Sequence, residues 1–136
     1  MTLYFDHEKL DVYQHSLQFV AWATELLETI TTKAAVRDQL DRASTSVPLN
    51  IAEGNGKFSI KDRCRFLGIA YGSALECAAA LDVMVAKKLV MEQAVEEGKA
   101  RLKGVVSMLV GLINSLMSRV CEEPGEYVVL AETRVE

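Results

Sequence analysis

The sequence predicts an all-α, up-and-down antiparallel four-helix bundle followed by a short non-helical C-terminal tail. Three observations carry that expectation. Apolar residues recur every three or four positions in four successive segments, which is the period of a helix face and not the alternation of a strand. Each segment is about 20–30 residues long, and the short connections between them favour antiparallel neighbours. Half of the 136 residues are apolar and a quarter are charged, so one domain of this length can bury a substantial core. The expected division is a bundle over residues 1–123 and an extended or disordered tail over 124–136.

The first helix is expected to start near Asp6 as N-cap, with Phe5 and Leu10 placed as a hydrophobic staple. Its inner stripe is Val12, Phe19, Ala23, Leu26 and Ile30, and the weak helix formers of "TITTK" end it. The second helix spans about Ala35 to Gly54 with Val36, Leu40, Ala43, Val47 and Ile51 inward. Pro48 lies within it and offers no N–H to the Ser44 carbonyl, which predicts a kink. "GNGKF" stops that helix, because glycine and asparagine suit a C-terminal cap.

Ser59 opens the third helix, with Asp62 three residues on in the manner of a capping box. Its inner face holds Phe66, Leu67, Ala70, Ala74, Cys77, Leu81 and Val85. The fourth runs from about Glu92 to Glu122, with Leu102, Val106, Leu109, Ile113, Leu116 and Val120 at alternating threes and fours. No Gly or Pro marks the boundary around "KKLVMEQ". Gly68, Gly72, Gly104 and Gly111 lie inside helices at a cost of about 1 kcal/mol each against alanine, and close helix–helix approach is the expected compensation. Beyond Pro124–Gly125, "EYVVLAETRVE" is richer in residues that suit extended chain.

The residues do not point to an enzyme. Cys64, Cys77 and Cys121 are three in number with no CxxC, against both a disulfide framework and a zinc site. His7 and His15 stand eight apart, beyond the spacing at which one helix face presents two ligands. No P-loop, GxSxG, HExxH or GxGxxG pattern occurs, and the paired Glu-x-x-His signature of di-iron bundles is absent. Accordingly no catalytic residue, metal ligand or cofactor site is assigned. No apolar run reaches the eighteen or so residues expected of a membrane span, and the first ten residues lack signal-peptide features, so the expected location is the cytoplasm with no membrane partner.

Two polar constellations stand out. The first is Arg42, Asn50, Glu53, Ser73 and Glu76. If the second and third helices fold as a hairpin about residues 55–58, Arg42 comes close enough to contact Glu76, within the chain or across a subunit interface. Glu53 comes near the exposed N–H groups that start the third helix. These groups are expected to satisfy one another and the backbone opened by Pro48, the alternative being a small ligand pocket at the kink. The second constellation is Lys57, Lys61, Arg63 and Arg65 near the hairpin tip, candidates for nucleic-acid contact. Residues 33–65 carry a charge of +3, although the whole chain is at −4 and would repel a polyanion.

The stretch "QLDRASTSVPLNIAEGNGKFSIKDRCRFLGIAYGSALE", preceded by "KLDVYQHSLQF", resembles the four-helix-bundle family named for the 23S rRNA intervening-sequence protein. The residues that carry the resemblance are Arg42, Ala43, Ser46, Val47, Pro48, Asn50, Ile51, Ala52, Glu53 and Gly54. A second block follows at Phe66, Leu67, Ile69, Ala70, Gly72, Ser73 and Glu76. It covers roughly residues 9–90. The resemblance implies an up-and-down bundle assembled as a ring of five copies. A related branch serves as the accessory protein of diversity-generating retroelements, a basic pentamer that binds a reverse transcriptase and nucleic acid; this chain, being acidic, departs from that branch. The leading expectation is a non-catalytic, homo-oligomeric, pentameric interaction protein. The alternative is a nucleic-acid-associated accessory protein that uses the basic hairpin tip on RNA, DNA or a reverse transcriptase.

Overall fold

The computed structural model describes residues 2–120. The expected tail at 124–136, the bundle's boundary at residue 123 and Cys121 lie outside the described residues. Four helices carry the fold: α1 (Asp11–Glu28), α2 (Ala35–Asn55), α3 (Ile60–Ala86) and α4 (Glu96–Val120). No strand occurs among the described residues. Each helix packs chiefly on two neighbours, α1 on α2 and α4, and α3 on α2 and α4, which is the square of an up-and-down bundle. Side-chain pairs bridge the neighbouring helices: Ser46 with Ser73, Asp82 with Lys99, and Gln18 with Arg101.

The inward stripes follow helical period because only that spacing keeps one face turned to the core. Val36, Leu40, Ala43, Val47 and Ile51 of α2 are all buried as expected, and so are Leu67, Ala70, Ala74, Cys77 and Leu81 of α3. In α4, Val105 takes the fully buried position expected of Val106, and Val120 is 59 % exposed at the helix end. Ser16 is the polar surprise in α1. It is buried, and its hydroxyl donates to the Tyr13 carbonyl at 2.7 Å, so this donor is paired inside the core, whereas the buried Tyr71 hydroxyl has no partner among the described residues.

The start of the chain corrects one expectation. Asp6 does not cap α1; Asp6–Lys9 form a separate turn of 3-10 helix, and Leu10 passes in extended conformation before α1 begins at Asp11. The cause is Glu8, whose carboxylate accepts from the backbone N–H groups of Tyr4 at 3.3 Å and Phe5 at 3.2 Å and so holds its own short turn. Phe5 does not staple to Leu10 but stacks on His7, whose ring meets the edge of Tyr13. α4 shows a similar split: Glu92–Val95 form a 3-10 turn and the α-helix proper begins at Glu96.

α2 is continuous through Pro48, which is itself buried. Ser59 caps α3 as expected, its hydroxyl accepting from the Asp62 N–H at 3.0 Å. α3 ends without glycine. Lys88 takes a left-handed φ of 61°, its N–H bonds the Val85 carbonyl, and the Leu89 N–H bonds the Met84 carbonyl at 2.9 Å. That pair of bonds is a Schellman motif, and Leu89 packs back on the core to complete it.

The expectation about glycines is corrected in part. A Cβ added at Gly68, Gly72, Gly104 or Gly111 would meet nothing within 4 Å, so none of the four serves a close approach inside this chain. Gly54 and Gly98 do. A Cβ on Gly54 would stand 3.0 Å from the Phe66 Cβ and 3.2 Å from the Arg63 carbonyl, and one on Gly98 would strike the Trp22 ring. The expectation that no stretch is apolar enough to span a bilayer is corrected as well. By length and composition alone, α3 and residues 92–120 reach that mark, because their many Ala, Gly and Ser residues leave few charges in either helix.

Candidate functional site

Ser46, Asn50, Gly54 and Ser73 of the motif gather on the α2–α3 seam, while Arg42, Gly72 and Glu76 are exposed. The Asn50 amide donates at 2.9 Å to both the carbonyl and the hydroxyl of Ser46. The Ser46 hydroxyl in turn shares a 2.8 Å bond with the Ser73 hydroxyl across the seam. One helical turn nearer the hairpin tip, Gly54 lets the two backbones close on Phe66 and Arg63. The seam is thus fastened by a polar chain and a glycine notch in sequence-adjacent turns. Hydroxyl–amide bonds of this kind fix register between helices that apolar packing alone would let slide.

Two expected contacts are not formed within the chain. Arg42 and Glu76 each lie one turn beyond the Ser46–Ser73 bridge, toward the same end of the bundle, but both are exposed and no ion pair joins them. The reason is their direction: Ala43 and Cys77 take the buried positions beside them, which turns the two charged residues outward. Glu53 does not receive the N–H groups of α3; its carboxylate lies 3.7 Å from the Lys57 ammonium on its own helix. Ser59 already serves the α3 terminus. Nor does Asn50 repair the carbonyl opened by Pro48, since it binds the Ser46 carbonyl instead. Asn50 is paired to Ser46, and Glu53 lies beside Lys57.

The basic residues of the hairpin tip divide by role. Arg63 is a staple of the turn, its Nε donating to the Lys57 carbonyl at 2.7 Å. The Lys57 ammonium and the Arg65 guanidinium lie 4.8 Å and 4.6 Å from the centre of the Phe66 ring, within cation–π range. Lys61 is exposed and makes no ion pair with a described residue. Beside them stands Phe58, fully exposed, which sequence reading passed over because an aromatic after "GNGK" reads as ordinary turn.

The outer face of α3 and α4 is the other notable surface. On α3 it presents Ile69, Gly72, Leu75, Ala79 and Val83; on α4, Ala100, Gly104, Ser107, Gly111 and Ser115. Ile69 and Leu75 are each 44 % exposed. A groove elsewhere, between α1 and α2, is lined by Thr24, Leu27, Glu28, Arg37, Asp38 and Asp41, with Arg37 Nη2 donating to the Leu27 carbonyl at 3.1 Å. No group of His, Cys, Asp and Glu with metal-binding geometry occurs among the described residues. Burial pushes the Cys64 thiol up from its ordinary pKa; it pushes Cys77 up to about 12, with the adjacent Glu76 charge adding to the effect. Both are protonated, poor nucleophiles at neutral pH.

Fold and surfaces together define a small helical-bundle protein whose polar motif joins two helices. By its sequence, the chain belongs to the 23S rRNA-intervening sequence protein family, whose description matches residues 8–111. The crystal structure of an S23 ribosomal protein family member of unknown function from Bacteroides thetaiotaomicron has the same fold, with a TM-score of 0.71 and 22 % identity. The likeness covers 75 % of this chain and 97 % of that one. Comparison with curated proteins returns no match.

Proposed function

We propose that the chain is a non-catalytic scaffold that assembles with copies of itself through the outer face of α3 and α4, as a ring of five in the cytoplasm. The observation that carries this reading is the set of Gly68, Gly72, Gly104 and Gly111, open to solvent beside Ile69, Leu75 and Val83. Four glycines weaken two helices and gain no contact within the chain, whereas a neighbouring helix packed on that face would use the space. Lipid is a poorer occupant than protein, because Glu76 and Asp82 interrupt the α3 face and a carboxylate in hydrocarbon is costly. Arg42 and Glu76, unpaired with each other in one chain, are available to join across such an interface. Light scattering on the eluting full-length chain tests the reading: a mass near five times 15.0 kDa supports it, and a mass of one chain at micromolar concentration removes it.

A second reading is favoured by the hairpin tip, where Lys57, Lys61 and Arg65 stand on one end of an otherwise acidic protein. There the chain serves as a nucleic-acid-associated accessory protein, and a ring would repeat the patch in every copy. Titration with RNA and DNA at 50 and 200 mM salt decides it, since phosphate contacts must weaken steeply as salt rises.

A further inference from the structure

We infer that Phe58 is a stacking platform for an unpaired base of single-stranded RNA, with Lys61 and Arg65 taking the flanking phosphates; this rests on the second reading above. Phe58 has a relative exposure of 104 %, the highest of any large apolar residue among those described. Its backbone is nonetheless tightly held. The Gly56 N–H bonds the carbonyls of Ala52 and Glu53, the Lys57 N–H bonds that of Gly54, and the Arg63 side chain grips the Lys57 carbonyl. On the other side Ser59 caps α3 through the Asp62 N–H, and its own carbonyl accepts from the Arg63 N–H at 3.0 Å. An aromatic ring is thus held out into water by a turn whose neighbouring residues are all fastened. That geometry gives a ligand ring a preformed surface and leaves little backbone to order on binding.

The cations around it define the ligand. Residues 56–65 carry four basic groups and one acidic one. Arg63 is occupied by the turn, while Arg65 is steered by the Phe66 ring and Lys61 stands free of any described carboxylate. An exposed aromatic plate followed three and seven residues on by exposed cations matches the alternation of base and phosphate in a single strand, where every base offers a π-face. A duplex hides those faces in its own stack, so it offers only phosphates to the same tip.

The test uses the full-length chain, a 20-nucleotide mixed-sequence single-stranded RNA, the corresponding RNA duplex and phosphatidylserine vesicles, each titrated at 50 and 200 mM salt. Phe58→Ala is expected to weaken single-strand binding roughly tenfold with the salt slope unchanged and duplex binding spared. Lys61→Ala/Arg65→Ala is expected to weaken both RNAs and flatten the slope. Because Phe58 makes no buried contact, its variant should keep the wild-type circular dichroism and oligomeric mass. If wild-type protein binds the strand and Phe58→Ala binds it equally, the stacking inference is overturned and the second reading survives. No binding by wild-type protein at 50 mM salt overturns both. Vesicle binding lost in Phe58→Ala without RNA binding, or a change in oligomeric mass, overturns the inference in favour of a lipid or a second copy as the occupant.

Discussion

Gly54 and Gly72 are both helical glycines of the recognisable motif blocks, yet they face opposite circumstances. Gly54 is buried in the α2–α3 seam, where a methyl group would press on the Phe66 Cβ and the Arg63 carbonyl. Gly72 sits on the outer face of α3 with open space beyond it. In the first case the conformational cost of glycine is offset inside the chain; in the second it is not. The contrast teaches that a glycine's place in a pattern says nothing of which partner it serves. The seam is finished within one chain, and the outer face is the surface that the proposed assembly would complete.

Four measurements break or sharpen that contrast. The largest effect concerns Cys77, which lies fully buried on the inner face of α3 and whose thiol must stay protonated there. Its pKa is raised from 9.0 to about 12, so its contribution is intact below pH 9 and is lost as pH climbs through the folded value. The loss approaches about 4 kcal/mol at the upper end. Comparing alkaline unfolding of wild type and Cys77→Ala isolates it, and identical pH slopes would remove the claim.

Next, the same substitution should act with opposite sign at the two glycines. Gly54→Ala destabilises the chain by about 2 kcal/mol, because the rigid backbone opposite must move. Gly72→Ala raises the stability of the isolated chain by about 0.8 kcal/mol through helix propensity alone, while loosening any assembly built on that face. Urea unfolding reads both, and two shifts of the same sign would break the comparison. The Ser46–Ser73 bond gives a third, finer test. In a double-mutant cycle to alanine, the pair should show a coupling of about 1 kcal/mol, against none if apolar packing alone sets the seam. The smallest effect is at the end of α3, where Lys88→Gly relieves a left-handed backbone at some entropic cost and gains about 0.5 kcal/mol in thermal unfolding.

Sequence periodicity makes the bundle legible, since helix faces impose their spacing on every buried position; the inward residues of α2 could be written down from it directly. Ends are harder to read. The 3-10 turn at Asp6–Lys9 depends on Glu8 reaching back to two N–H groups, a contact that the local sequence does not distinguish from capping by Asp6. The end of α3 hides behind Lys88, because a left-handed cap is readable only when glycine occupies it. Of the polar motif, Asn50 and Ser73 were legible as members of one seam, whereas Ser46 links them in a way that spacing does not reveal. The Arg42–Glu76 contact failed within the chain because antiparallel register fixes height along a seam but not the outward turn of each side chain. Phe58 escaped notice for a related reason: only coordinates separate an aromatic folded onto a turn from one raised off it.

Trp22 is the sole tryptophan of the chain, and its indole lies against Gly98 where α4 begins. Its fluorescence therefore watches the joint at which the last helix seats on the first. Should that helix lift away, the emission would shift to longer wavelength while the ellipticity stayed constant, giving a label-free clock for the opening of the bundle.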